Sequence, residues 1–374
     1  MKRLITTICL YELLVTGSAQ AYRPIIDLGT LSGGQSWACS INDSGQIVGR
    51  ADTTVSGYWR ACLFDPTGGG ANTNLGTIGG YEESWAWSIN NSGQIVGYAH
   101  TPGYPRACLF DKTGGGANID LGTLGGDTSS AYSINNNGQI VGSAETSTVW
   151  ATACLFDHTG GGANINLGTL GGLYSEAQSI NNSGQIVGWA YNSSGYSKPR
   201  ACLFDKTGGG ENIDLGTLGG DLGWAYSIND SDQIVGKAHN SSGNWRACLF
   251  DKTGGGDNID LGTLGGDYSQ ALSINDSGQI VGNATNSSGN WHACLFDPTG
   301  GGANIDLNTL IDHSSGWILG AAYGINNNGW IVGQGINPDG YSHAYLLTPD
   351  PATLALLGLG GLTVLRRRRA QKRI

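Results

Sequence analysis

The sequence predicts an all-β fold: a seven-bladed β-propeller of ~46-residue, four-stranded repeats, closed by the N-terminal strand, plus a short C-terminal hydrophobic helix. Three observations predict it. The triplet Leu-Gly-Thr starts at Leu28, Leu75, Leu121, Leu167, Leu215 and Leu261, and Leu-Asn-Thr starts at Leu307, at steps of 46 to 48 residues. Each unit holds four short strand-like runs bounded by Gly, Asn or Asp. The last unit stops at Ala344-Tyr345-Leu346-Leu347, a third strand with no fourth, while Tyr22 to Leu28 reads as a fourth strand with no unit before it. The first strand therefore completes the last blade, and closure removes the free edges that an open array would expose.

Within the third unit the expected strands are 131–135, 139–144, 153–157 and 164–170. Between the first two lies Asn135-Asn136-Asn137-Gly138, whose Gly supplies positive φ for a tight turn. A calcium loop is the rival reading of this turn, but the alternating acids and the distal Glu of such a loop are missing. Thr159 to Gly162 is a second turn; no Lys-Ser/Thr follows it into a helix, so it is no phosphate loop. A β-helix is the rival fold, and its coils are shorter than this period. The sequence points to no metal and no cofactor.

The two ends read as targeting segments. Residues 1–21 have a basic start (Lys2, Arg3), an apolar run and the small-residue site Ala19-Gln20-Ala21, as a secretory signal does. The expected domain then runs from 22 to 348. Residues 349–374 form a three-part end: Pro349-Asp350-Pro351, an apolar stretch over 352–365, and an Arg-rich tail. Fourteen helical residues span about 21 Å, short of the roughly 30 Å hydrocarbon core, and snorkelling arginines cover part of the difference. The tail would stay cytoplasmic.

The chain carries a formal charge of −10, and the body between the two ends holds 27 acidic against 11 basic side chains. A body this acidic repels phosphate backbones, which argues against nucleic acid as a partner. Cys62, Cys108, Cys154, Cys202, Cys248 and Cys294 occupy one repeat position. A whole unit separates neighbours, beyond the ~7 Å Cα separation that a disulfide spans, so free buried thiols are expected.

Two resemblances attach to these motifs. The end Pro349-Asp350-Pro351 with Ala-Thr-Leu-Ala-Leu-Leu-Gly-Leu and the Arg-rich tail resembles the PEP-CTERM sorting signal of Gram-negative bacteria, with Asp350 where that family has Glu. The resemblance implies transient membrane insertion and cleavage by an exosortase-type protease. The repeat Ala-x-Ser-Ile-Asn-x-x-Gly-Gln-Ile-Val-Gly, then His-Ala-x-Leu-Phe, then Asp-Leu-Gly-Thr-Leu-Gly-Gly is similar to the bacterial HAF repeat, an extracellular family. His292-Ala293-Cys294 and His343-Ala344-Tyr345 keep its name pattern in part. That resemblance implies fold and compartment and carries no activity.

Residues shared by every unit read as blade structure; Asp65 and its five equivalents read as turn caps. Function is expected where the units differ, in the loops from fourth to first strand and from second to third. Both emerge at one end of an antiparallel blade, and loops on a rigid scaffold are where binding usually sits. This diverse end carries Trp37, Trp85 and Trp224 at one repeat position, just before the first strand and by the central channel. Trp59, Trp245 and Trp291 hold another, just before the third strand. These six are the candidate ligand-binding residues. Aromatic faces pair with the C–H faces of sugars, and loops such as Asn240 to Asn244 add hydrogen-bonding groups, so an extracellular polysaccharide is the expected ligand class. The alternative is that the rings cover the blade ends, since Trp buries much area wherever it sits. No catalytic residue is assigned. Glu82, Glu83, Glu145 and Glu176, and the pair Asp312-His313, are the groups that an enzyme acting on such a polysaccharide would use.

Overall fold

The computed structural model describes residues 24–349 apart from 55–57, 81–82, 148–149 and 194–197. The expected signal segment, Asp350, Pro351 and the apolar helix of 352–365 lie outside the described residues. Within them, seven four-stranded antiparallel sheets form a seven-bladed β-propeller. Blade 1 is built of Ser36–Ile41, Ile47–Asp52, Trp59–Phe64 and Thr73–Asn74. Blade 5, its counterpart across the ring, is built of Gly219–Ile228, Ile234–Asn240, Trp245–Phe250 and Ile259–Asp260. Blade 7 takes Ile318–Ile325, Ile331–Ile336 and Ser342–Leu347 from the end of the chain and Ile26–Asp27 from its start, with Ile26 opposite Leu346 and Asp27 opposite Tyr345.

Strand limits depart from the expected ones in two ways. The first strand of blade 3 is Gly125–Ile134, longer than expected, because Gly125 pairs with Thr146 beyond the regular ladder. The fourth strand is only Ile165–Asn166. The outermost strand has one neighbour, and the Leu-Gly-Thr after it turns inward, burying Leu167 under the blade.

The cores lie between blades. Val48 and Ala61 of blade 1 pack with Ala86, Ile89, Ile95, Cys108 and Phe110 of blade 2, and the same grouping recurs around the ring. The six repeated cysteines are buried and free, and serve as small apolar residues here. Burial pushes their thiols well above the ordinary range. Gly49 lets the second strand pass close to the first: a Cβ there would run into the carbonyl oxygen of Trp37, beside the bulge at Ala38 to Ser40.

Repeated polar residues staple neighbouring blades. Asn72 Nδ2 donates to the carbonyls of Leu28 (2.7 Å) and Thr30 (3.1 Å), and five equivalent asparagines do the same. At the channel, the Asn-x-x-Gly turns form two closed rings of hydrogen bonds. In the inner ring Asn42 donates to the carbonyl of Asn90, Asn90 to that of Asn135, and so on through Asn181, Asn229, Asn275 and Asn326, at 2.9–3.2 Å. In the second, the backbone N–H of the next residue donates to the side chain of its neighbour: Asp43 to Asn91, Asn91 to Asn136, and around to Asn327 and Asp43, at 2.8–3.0 Å. The repeated Asp65 caps its Thr-Gly-Gly-Gly turn by accepting from Thr67 and from Gly70 N (2.6 Å).

Candidate functional site

The topology gives the ring two unlike ends. The uniform end carries the asparagine rings around a basin of about 180 Å³. The other end receives two loops from each blade. Every large aromatic side chain that stands exposed among the described residues is here: Tyr104, Trp150, Tyr268, Trp291 and Tyr341. Trp150 is 59% exposed and Trp291 43%.

On the innermost strand of blade 1, Ser36 and Ala38 enter the inter-blade core while Trp37 and Cys39 alternate with them and stay half-buried. Trp37 lies opposite Arg50 on the second strand, and Asp52 lies opposite Trp59 on the third. Period-two alternation puts all four on one face of the sheet. The Arg50 guanidinium is caged by three indoles: its carbon is 3.7 Å from the Trp37 ring centre, 4.1 Å from Trp59 and 3.5 Å from Trp85 of the next blade. Trp85 in turn stacks on Trp87 at 4.0 Å, and its indole N–H donates to Cys39 Sγ at 3.1 Å.

Blade 5 repeats the arrangement. Trp224 lies opposite Lys237, and His239 opposite Trp245. Trp224 and Trp245 stack at 4.7 Å with planes 12° apart, and Lys237 Nζ is 4.2 Å from one ring and 4.7 Å from the other. Burial pushes the Lys237 ammonium down to about 8. In each blade, then, a Trp, a cation and a Trp occupy the same positions on three adjacent strands.

Blade 4 puts a carboxylate at the Trp37 position. Glu176 sits opposite Trp189 and accepts from Gln178 Nε2 at 2.9 Å. Burial raises its carboxyl to about 7, against hydrogen bonds from Trp189 and Gln178 that favour the ionised form. The other acids named from the sequence do not join it. Glu145 accepts from the backbone N–H groups of Asp127 (3.2 Å) and Thr128 (3.1 Å) on its own blade. Asp312 caps the short 3₁₀ turn His313–Ser315 through Ser314 N, at 2.8 Å. Glu82 lies outside the described residues. Among the described residues no three His, Cys, Asp or Glu side chains converge as metal ligands would.

Of the six tryptophans singled out from the sequence, Trp37, Trp59 and Trp85 come together in one cage and Trp224 and Trp245 in the other. Trp291, in blade 6, joins neither. All six lie within the strands rather than before them. Trp59, Trp245 and Trp291 each begin a third strand, and Trp37 and Trp85 are second residues of first strands. Trp224 is inside Gly219–Ile228. Sequence reasoning missed Arg50 and Lys237. The signal was present: after each Ile-Val-Gly the units read Arg50, Tyr98, Ser143, Trp189, Lys237, Asn283 and, in the last, Gln334, a varied position followed by Ala in six units and by Gly335 in the seventh.

Residues 30–119, 82–170 and 128–214 match, in three overlapping stretches, the model of a family described as a protein of unknown function, DUF3466. These stretches run over blades 1 to 4 and stop at the end of the last strand of blade 4, Ile213–Asp214, so the likeness tracks the repeat. No curated protein matches the chain in sequence.

Proposed function

We propose that this is an exported, surface-associated binding protein of a Gram-negative cell envelope, and that its diverse end binds extracellular polysaccharide. The observation that carries the ligand class is the gathering of the exposed aromatic side chains at that end, around two tryptophan cages. Rings with open faces and flanking Asn and Ser groups suit a ligand that is apolar on one face and hydroxylated at its edges. The carbohydrate class also fits a pre-formed site, since strands rather than loops position the cages. Export rests on the signal-like segment of residues 1–21 and on the likeness to the HAF repeat. Envelope sorting rests on Pro349-Asp350-Pro351 together with the apolar stretch and the Arg-rich tail, with an exosortase-type protease as the partner and transient insertion of 352–365. Among the described residues no helix is long and apolar enough to cross a membrane.

A second reading, a propeller-fold enzyme acting on the same polysaccharide, has one observation in its favour. Glu176 titrates near neutrality, where a general acid or base works best. A glycosidase of the usual kind needs two carboxyl groups about 5–10 Å apart, and no other carboxylate contributes to the shift of Glu176. Binding is therefore the better supported reading. A screen of the full chain against bacterial exopolysaccharides tests it. Saturable binding to one class, with the polymer recovered uncut, is the expected result. Binding to none would overturn the proposal, and release of new reducing ends would favour the enzyme.

A further inference from the structure

We infer that the polysaccharide taken by the diverse end is acidic, and that Arg50 and Lys237 in their tryptophan cages hold its carboxylate or sulfate groups; this rests on the reading that the end binds a glycan at all. The argument starts from charge. Acids outnumber bases in this body by more than two to one, so a cation has every opportunity to find a carboxylate. Others do: Arg106 pairs with Asp120 at 3.2 Å, Arg200 with Asp214 at 2.9 Å, Lys198 with Asp221 at 2.8 Å and Lys252 with Asp232 at 2.6 Å. Arg50 and Lys237 are half-buried and stand in no ion pair among the described residues. Glu83 acts on Arg50 at longer range than an ion pair. Partly desolvated cations with no directly paired counter-charge are costly to keep, and a bound anion is one way to relieve that cost.

Hydrogen bonding points the same way. Arg50 Nε is buried without a partner, as are the indole N–H groups of Trp87 and Trp224. The bond from Lys237 Nζ to Gln270 Oε1 is long, at 3.4 Å. Indole faces attract a cation but accept nothing from its N–H edges in the way an oxygen does. Among the buried side-chain atoms left without a partner at this end, the donors Arg50 Nε, Trp87 Nε1, Trp224 Nε1 and Arg246 Nε outnumber the acceptor Asn283 Oδ1, and the acidic group of a sugar supplies acceptors. Of the carboxylates at this end, Glu176 is engaged by Gln178 and Trp189, Asp52 accepts from Gly34 N (3.1 Å) and Gln35 N (2.8 Å), and Glu83 acts on Arg50 without forming an ion pair. The constellation occurs twice, in blades 1 and 5, which suits a polymer that offers its charged group repeatedly.

The test uses the full chain and three oligosaccharides of equal length: an oligogalacturonate, a sulfated oligosaccharide and a neutral glucan. Affinity is read by calorimetry for the parent, Arg50→Gln, Lys237→Gln and Arg50→Lys, each checked by its melting curve. The parent should prefer at least one acidic probe to the neutral one by about tenfold or more, and each Gln variant should lose about tenfold toward that probe alone. Which acidic probe is preferred identifies the group as carboxylate or sulfate. Arg50→Lys should keep most of the binding. If a Gln variant fails to fold, the parent itself answers: acidic binding should weaken as pH rises through 8, where Lys237 loses its charge, and neutral binding should not. Equal affinity for neutral and acidic probes, or losses that are the same for both, would overturn the acidic reading and leave glycan binding standing. No binding of any of the three, where the wider screen also finds none, would remove both.

Discussion

Asn326 Nδ2 donates to the backbone carbonyl of Asn42 at 2.9 Å, across 284 positions of the chain. It is the last of seven such bonds, and it joins the final blade to the first at the channel. The same blades are joined a second time where Ile26–Asp27 completes the sheet of Ser342–Leu347. The ring is thus locked at its inner and outer radius by residues from opposite ends of the sequence.

The inner lock should carry measurable stability. Asn229 donates Nδ2 to the Asn275 carbonyl at 2.9 Å, while its Oδ1 accepts from Gln233 N within its own turn. Nδ2 also donates to Gln233 Oε1 at 2.8 Å, so Asn229→Asp keeps the acceptor and loses two donated bonds, one between blades and one within the turn. Urea unfolding should show a loss of about 1–3 kcal/mol, as for a buried hydrogen bond broken on one side. An unchanged midpoint would mean that the rings are a by-product of blade packing and add nothing.

The outer lock depends on the N-terminal strand. Leu28 is buried and packs with Ile47, Phe64 and Leu346. Leu28→Ala should cost about 2–5 kcal/mol, and deleting residues 22–30 should cost more, because it also opens the sheet edge. A deletion that leaves the melting temperature unchanged would refute closure by this strand.

The same strand makes the ring sensitive to acid. Burial works against ionising Asp27, but hydrogen bonds from His343 (2.9 Å) and Gly29 outweigh it and hold the carboxyl below its ordinary value. A depressed carboxyl contributes stability above its unfolded pKa and loses it as pH falls through the folded one. Asp27→Asn should therefore narrow the difference in melting temperature between neutral and acid pH. An identical acid limb would assign the acid sensitivity elsewhere.

Glu176 has the opposite sign. Its folded value near 7 lies above the unfolded one, so the folded state binds the proton more tightly, and stability falls as pH rises from about 4.5 to 7. Glu176→Gln should remove that slope and be the more stable chain at pH 8, by up to roughly 3 kcal/mol. Parallel pH profiles for the two chains would mean that the carboxyl is ordinary.

Most of the frame was legible because the chain states it seven times. The period, the orphan strand at Ile26–Asp27 and the turn role of Asp65 all come from local rules of turns and edges. The cages were legible only in part. Trp37 and Trp59 are visible as aromatic residues at repeat positions, but their meeting over Arg50 depends on strand pairing, which sets Trp37 against Arg50 and Trp59 against Asp52. Arg50 stands mid-strand, where loop-centred reasoning does not look. The near-neutral carboxyl of Glu176 depends on its burial beside Trp189, a residue of the facing strand, and no spacing in the sequence reports that.

The sorting proposal has its own readout. Mass spectrometry of surface or released material from the native host should find chains that end near Asp350 and lack the Arg-rich tail. Mostly full-length chains held in the membrane would mean a permanent anchor and no exosortase-type cleavage.

The central claim is that the tryptophans of the diverse end bind a ligand rather than seal the blades, and a tryptophan-fluorescence titration tests it most directly. The parent and Trp59→Ala/Trp245→Ala are titrated with the polysaccharide found by screening, alongside urea unfolding of both. A saturable signal in the parent that weakens at least tenfold in the variant, with little loss of stability, is the predicted result. A variant that loses about 3–5 kcal/mol per ring, the cost of emptying a packed core position, and still binds as the parent does would contradict it.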